Sequence, residues 1–253
     1  MPALRQIVSR ADDAGSCRGA NRAILQGLRA GSITAVGFMV PAPGFEDAVA
    51  TLAGELRPAD AGLHATINSE WTSVRWGPVL PVERVRSLVD PDGYFRPRPT
   101  DRPEDLVTDE VLAEIAAQLT RLREAGVEPN YLDTHMGFDR FPAVSLALAD
   151  FARAQGLRYV AQSPAYLPTH LLPGHTRLAS WRKHLAAAPP GVYQLVTHPA
   201  TDTPDLRAFW HEGLEPGQVA QERSAETAAL CDPDFFPHLA AVQAQLVRFS
   251  ALL

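Results

Sequence analysis

Short apolar runs alternate with segments of helical spacing along most of this 253-residue chain, and that alternation narrows the possible folds more than any other feature. Gln6–Arg10 reads as a strand, and Gly19–Ala30, apolar at Ala23, Ile24, Leu25 and Leu28, as a helix closed by Gly31. Thr34–Val40 is a second strand, stopped by Pro41 and Pro43. Phe45–Leu56 is a second helix and Gly62–Ile67 a third strand. Further on, Glu104–Ala125 is helical up to Gly126, Asn130–His135 is a fourth strand, Ala143–Gln155 a helix before Gly156, and Arg158–Ala161 a short fifth strand. Gly191–Thr197 is a sixth strand, Glu215–Leu230 a helix, and Leu246–Phe249 a last strand or the tail of the final helix. Repeated strand-then-helix units call for a parallel sheet, and about seven of them in this length favour a barrel over an open sheet. No internal repeat or linker divides the chain, so one α/β domain over residues 1–253 is expected.

In such sheets reactive groups gather at the strand C-terminal ends. The first strand runs into Ala11-Asp12-Asp13-Ala14-Gly15, two adjacent carboxylates that are costly together unless a cation or a proton offsets them. His64 lies in the third strand, His135 closes the fourth, and His198 follows the sixth ahead of Pro199. One Asp and two His from separate strands would make a divalent-metal site with open positions, leaving the second Asp free as a base. Residues 68–103 lose periodicity and collect Pro, Gly, Trp and Arg. A loop that long in a compact domain is expected to be functional, as a substrate groove carrying Arg75 and Trp76 or as a contact with a second subunit in a homodimer.

A formal charge of −6 argues against nucleic acid or an anionic membrane as partner, since either needs a basic face. Cys17 and Cys231 are too few for a disulfide framework or a cysteine-rich zinc site. The N-terminus lacks an apolar leader and no long uncharged apolar stretch follows, so a cytoplasmic protein is expected.

Four motifs in order, Ala-Asp-Asp-x-Gly at 11–15, Gly-Leu-His at 62–64, Asp-Thr-His-Met-Gly at 133–137 and Thr-His-Pro at 197–199, resemble those of the YdjC-like carbohydrate deacetylases. The resemblance extends to Asn21, Met39-Val40, Arg86–Asp90 before Gly93, and the Glu222-Arg223-Ser224-Ala225-Glu226 segment. It implies a distorted TIM-like (β/α) barrel that uses a divalent ion, magnesium or zinc, to remove acetyl groups from N-acetylated sugars. Its ligand triad maps onto Asp13, His64 and His135, its general base onto Asp12, and its second catalytic group onto His198. Arg223 is carried over as a substrate-binding residue. Three positions depart from the family pattern: Gly137 replaces a common His, Ala14 a Phe, and Arg10 an Asn. The first two point to an altered pocket, and Arg10 is expected to weaken metal binding by bringing positive charge to the carboxylates.

The chemistry is coherent on its own terms. An amide is a poor electrophile, so its hydrolysis benefits from a Lewis acid, a base for the attacking water and an acid for the leaving amine. Imidazole titrates near neutral pH and suits His198 to the last role. Asp133 is a candidate for substrate contact or for orienting a His ring through a hydrogen bond. Two other readings are a barrel that binds a sugar or metabolite without turnover, and phosphoryl transfer through an aspartate. The second fits poorly, because neighbouring strand residues point to opposite faces and no Gly-rich phosphate loop accompanies them.

Overall fold

Strand β1 (Arg5–Ala14) is the axis on which the fold is assembled. It is followed by α1 (Arg18–Ala30), β2 (Ala35–Phe38), α2 (Phe45–Leu52) and β3 (Asp60–Ala65), then by α3 (Thr108–Glu124), β4 (Tyr131–Thr134), α4 (Pro142–Ala154) and β5 (Arg158–Tyr159). The chain continues through β6 (Ala165–Tyr166), α5 (Arg177–Ala187), β7 (Gly191–Thr197), α6 (Pro204–Arg207), α7 (Gln218–Leu230), α8 (Phe235–Ala241) and β8 (Ala244–Leu246). The structure is a computed structural model that describes residues 4–98, 105–161 and 163–252; the expected helix start at Glu104 lies outside them. Among the described residues no helix is long and apolar enough to cross a membrane.

All strand pairs are parallel, in the order β5-β4-β3-β2-β1-β7-β6. β8 pairs with Arg5–Ile7 of β1, below the point where β2 takes over at Arg10. The sheet curls into a distorted barrel, and one ion pair shows it. Arg10 of β1 lies 3.0 Å from Asp133 of β4, although β2 and β3 stand between them in the sheet. Laid flat at about 4.8 Å per strand, β1 and β4 would be about 14 Å apart. Gln194 of β7 closes the seam between β5 and β6, its side-chain amide donating to Val160 O at 3.2 Å and Pro164 O at 2.7 Å.

Period-two alternation sorts β1 into two faces. Ile7 and Ala11 join the large core under the helices, whereas Val8 packs with Ala35, Tyr131, Val160 and Phe249 in a separate cluster inside the curl. That inner cluster plugs the floor of the barrel. Above it on the same face stand Arg10 and then Asp12. α1 begins at Cys17, whose Sγ accepts from Ala20 N, and ends at Gly31 with φ +75, as the sequence predicts. α5 buries Leu178, Ser180, Trp181 and Leu185 amid Arg, Lys and His, a mixed pattern that hides it from periodicity, and β6 is too short to register. Leu246–Phe249 resolves into the end of β8 and a 3₁₀ turn at Phe249–Ala251.

β1 does not stop before the pentad as expected but runs through it with a bulge. Ala11 pairs with Val36 and Ala14 with Phe38, so one residue is extra, and Asp13 takes φ +63. The bulge removes the alternation argument that kept two neighbouring carboxylates apart, because both Asp12 and Asp13 now face one cleft. The chain leaves through Gly15, at φ +98, whose N–H donates to Asn21 Oδ1 at 2.8 Å. Asn21 ties this turn to α2 by donating to Gly44 O and Asp47 Oδ2. A Cβ at Gly15 would lie 2.9 Å from Met39 O and 3.2 Å from Phe45 Cα, both fixed backbone. Gly15→Ala is therefore expected to cost at least about 1–3 kcal/mol from the forced φ. Urea unfolding of the two proteins measures it, and an unchanged midpoint would show that the turn relaxes freely.

Candidate active site

Asp12, Asp13, His64, His135, His198 and Arg223 line one open cleft of about 900 Å³ at the C-terminal edge of the sheet. Close approach at the centre depends on Gly37 of β2, where a Cβ would stand 3.2 Å from both Asp12 Oδ1 and His64 Cβ. Three acceptor atoms converge there. Asp13 Oδ1 lies 3.6 Å from His64 Nε2 and 3.3 Å from His135 Nδ1, and the two ring nitrogens are 3.2 Å apart.

The far side of each ring is already engaged. His64 Nδ1 lies 2.8 Å from Asp133 Oδ2, and His135 Nε2 lies 3.1 Å from Glu70 Oε2 and 3.2 Å from Oε1. A carboxylate behind each ring takes its N–H, which directs the remaining lone pair of each neutral imidazole inward. With both rings neutral, two lone pairs and a carboxylate oxygen would face one another with no donor between them. Asp13 Oδ2 accepts from Arg223 at 2.7 Å, leaving Oδ1 buried without a well-formed hydrogen bond. These residues could hold a cation, and the set Asp13, His64 and His135 is buried throughout.

Electrostatics point the same way. Four carboxylates (Asp12, Asp13, Asp133 and Glu70) meet two guanidinium groups (Arg10 and Arg223), so two negative charges are left for the imidazoles or an ion to offset. Burial opposes charging of His135, yet Glu70 and the contact with Asp13 outweigh it and push its pKa up to about 10. His64 is also raised, burial being outweighed by Asp133 and Asp12. For Asp13 burial works upward, but Arg223, His135 and His198 hold the carboxyl well below its usual range. Without an ion, a protonated His135 offsets part of this surplus; a bound divalent ion would take over that role.

Several expected residues take other places. Trp76 is buried, its indole N–H donating to Asn68 O at 2.8 Å, because an enclosed indole needs an acceptor. Arg75 pairs with Asp90 and lies over the Tyr94 ring at 4.6 Å. Neither lines the cleft, so the substrate contacts expected of Arg75 and Trp76 are corrected. The loop packs on α3 instead, with Val79 N and Leu80 N donating to the Glu114 carboxylate at 2.9 and 3.0 Å. Residues 99–103 of that loop lie outside the described residues. Asp133 is likewise no substrate contact: it sits behind His64 and pairs with Arg10. Arg223 lines the cleft, and its Nη2 grips Asp13.

Among the described residues, the loop reaches the cleft at its start, through Glu70 and Trp71, the latter stacked on Phe209 at 5.3 Å and His211 at 5.6 Å. Glu70 is the principal omission from the sequence reading. Its one signal is position, as the first acidic residue after the His64 strand. Tyr166, His170, Arg177 and Arg140 complete the walls, and none of them belongs to a motif. Gly137, at φ +60, leaves the space beside His135 open, with nothing closer than 3.9 Å to a Cβ built there. His198 is half-buried, its backbone N–H donating to Glu226 Oε2 at 2.6 Å.

A curled parallel sheet with a buried Asp–His–His cluster at its strand ends defines an α/β barrel with a candidate metal site at that edge. The chain belongs to the YdjC-like protein family, which matches it over residues 6–241. A carbohydrate deacetylase of Brevibacillus brevis is 33% identical over 139 residues, covering 55% of this chain and 52% of that protein. The chain thus spans about half the length of that relative. A carbohydrate deacetylase of Thermus thermophilus is 29% identical over 239 residues, with 81% of each chain covered. Among solved structures, a protein of Enterococcus faecalis described as a cellobiose-phosphate cleavage protein superposes with a TM-score of 0.83 over 98% of both chains. Its sequence identity of 18% makes that a likeness of fold.

The proton on His135 sets a pH dependence with a definite sign. Its folded pKa of about 10 lies above the ordinary value near 6.5, so the protonated ring stabilises the ion-free protein fully below about pH 6.5, and this is lost as pH rises through about 10. In chelator, thermal stability should fall between pH 7 and 10, and His135→Gln, weaker at pH 7, should fall less steeply. Parallel slopes for the two proteins would remove His135 from this account.

Proposed function

We propose that this chain is a metal-dependent hydrolase that removes the acetyl group from an N-acetylated sugar. The observation that carries the reading is the convergence of Asp13 Oδ1, His64 Nε2 and His135 Nδ1, three buried atoms spaced so that they could ligate one ion. The two-nitrogen donor set suits zinc better than magnesium. Both relatives described above carry the name carbohydrate deacetylase, which supports the substrate class.

Asp13, His64 and His135 would hold the divalent ion, which when bound would supply a Lewis acid for the amide carbonyl and lower the pKa of a bound water. The protein supplies the remaining chemistry. Asp12 keeps Oδ2 on Arg10 at 2.8 Å and leaves Oδ1 buried without a partner, so Oδ1 is the atom that takes the water's proton. His198, on the same cleft, delivers a proton to the departing amine. Arg223 holds Asp13 in place and has a second, unpartnered nitrogen, Nη1, available to a substrate oxygen. A barrel that only bound sugar would have no use for Asp12 beside the ligand set.

Acetate release from N-acetylglucosamine, its short oligomers and carrier-linked N-acetylated sugars, assayed with zinc and with magnesium, tests the activity. Asp13→Asn is expected to lose the ion. Asp12→Asn should keep it and lose about 10²–10⁴-fold in kcat, the usual range for removing a general base. Equal metal loss in both variants, or full turnover by Asp12→Asn, would reverse the assignment.

A further inference from the structure

We propose that Arg10 is the second cation of this centre, seated where another metal ion would otherwise bind, so that it limits the site to one ion while positioning Asp12. The inference rests on the metal-centre reading above. Arg10 is 3% exposed, and its guanidinium meets three oxygens from three strands. Its Nη2 lies 2.8 Å from Asp12 Oδ2 and 3.0 Å from Asp133 Oδ2, and its Nη1 donates to Gln194 Oε1 at 3.0 Å. Two carboxylates and an amide oxygen around one point are the donors a hard divalent cation takes.

The same neighbourhood has metal-ligand spacing of its own. Ligand atoms of Asp12, His64 and Asp133 lie within 4.8 Å of one another, a second set that shares His64 with the first. Asp12 Oδ1 and Asp133 Oδ1 are both buried and unpartnered. Without the guanidinium, two buried carboxylates would face each other, an arrangement that requires a proton or a cation. An Arg cannot lose its charge in a protein, so it fills this seat permanently.

This reverses the expectation that Arg10 weakens metal binding. Its charge is directed to Asp12, Asp133 and Gln194, while Asp13 is held by Arg223. The converging face of Asp13, His64 and His135 is left to the ion. Arg10 acts on the reaction through Asp12 and is a positioning residue.

Equilibrium dialysis against manganous ion, with elemental analysis of the protein and electron paramagnetic resonance, tests the proposal. The unaltered chain and Arg10→Lys should each bind one ion. Arg10→Gln should bind two, with the exchange-broadened spectrum of neighbouring manganese ions. A single ion in Arg10→Gln, or two in the unaltered chain, overturns the proposal. Should Arg10→Gln fail to fold in metal-free buffer, millimolar manganese should restore it with two ions bound; failure to do so also overturns it, because a vacated seat that no cation refills is not a cation seat. An unaltered chain that binds no ion would count against the metal centre itself, a result distinct from one ion in both proteins.

Discussion

Placing four carboxylates in one buried region is the constraint around which the rest of the structure is arranged. Each needs a positive partner, since an unpaired buried charge is among the most destabilising features a fold can contain. The partners come from different parts of the chain: Arg223 from α7 for Asp13, Arg10 from β1 for Asp12 and Asp133, and His135 from the end of β4 for Glu70. Of these, the Arg10–Asp133 pair crosses the barrel and draws β1 and β4 together. At that pair the charge balance of the cleft and the curl of the sheet meet, so removing Arg10 would disturb both.

Backbone conformation then decides which face the carboxylates take. On a regular strand Asp12 and Asp13 would point apart. The extra residue and the left-handed backbone at Asp13 bring them to the same cleft, and the sharp exit through Gly15, tied by Asn21, keeps the bulge from sliding along β1. Bulges beside active sites commonly re-aim a side chain in this way. Here the bulge also separates the roles of the two carboxylates, one set among the imidazoles and the other against Arg10.

The order of strands and the residues at their ends were legible in the sequence because both follow from burial. A parallel strand is apolar through its length, so a polar residue at its end stands out, as His64, His135 and His198 do. What escaped had no periodic signature. The bulge depends on a dihedral angle at Asp13 that no pattern of apolar residues encodes. Glu70 lies in an aperiodic loop, where one carboxylate looks like any solvated residue. Trp76 shows the opposite failure: an aromatic beside an Arg reads as a sugar platform, yet it is spent on packing the loop against the barrel. Arg10 was visible but its partners were not, since which carboxylates it touches is fixed only when β1 and β4 meet across the interior.

The cleft also divides by origin. Asp13, His64 and His135 come from β1, β3 and the end of β4, within the continuous part of the sheet, whereas Gly137, Tyr166, His170 and Arg177 come from the turn after β4, from β6 and from the segment leading into α5, beside the seam that the Gln194 side chain and the Tyr166 hydroxyl span. Substitution along that seam can reshape the wall without moving the acceptor atoms at the centre. The unfilled space over Gly137 is one such position. A barrel left unzipped at one place gives this scaffold room to change what it recognises while the reactive centre stays constant.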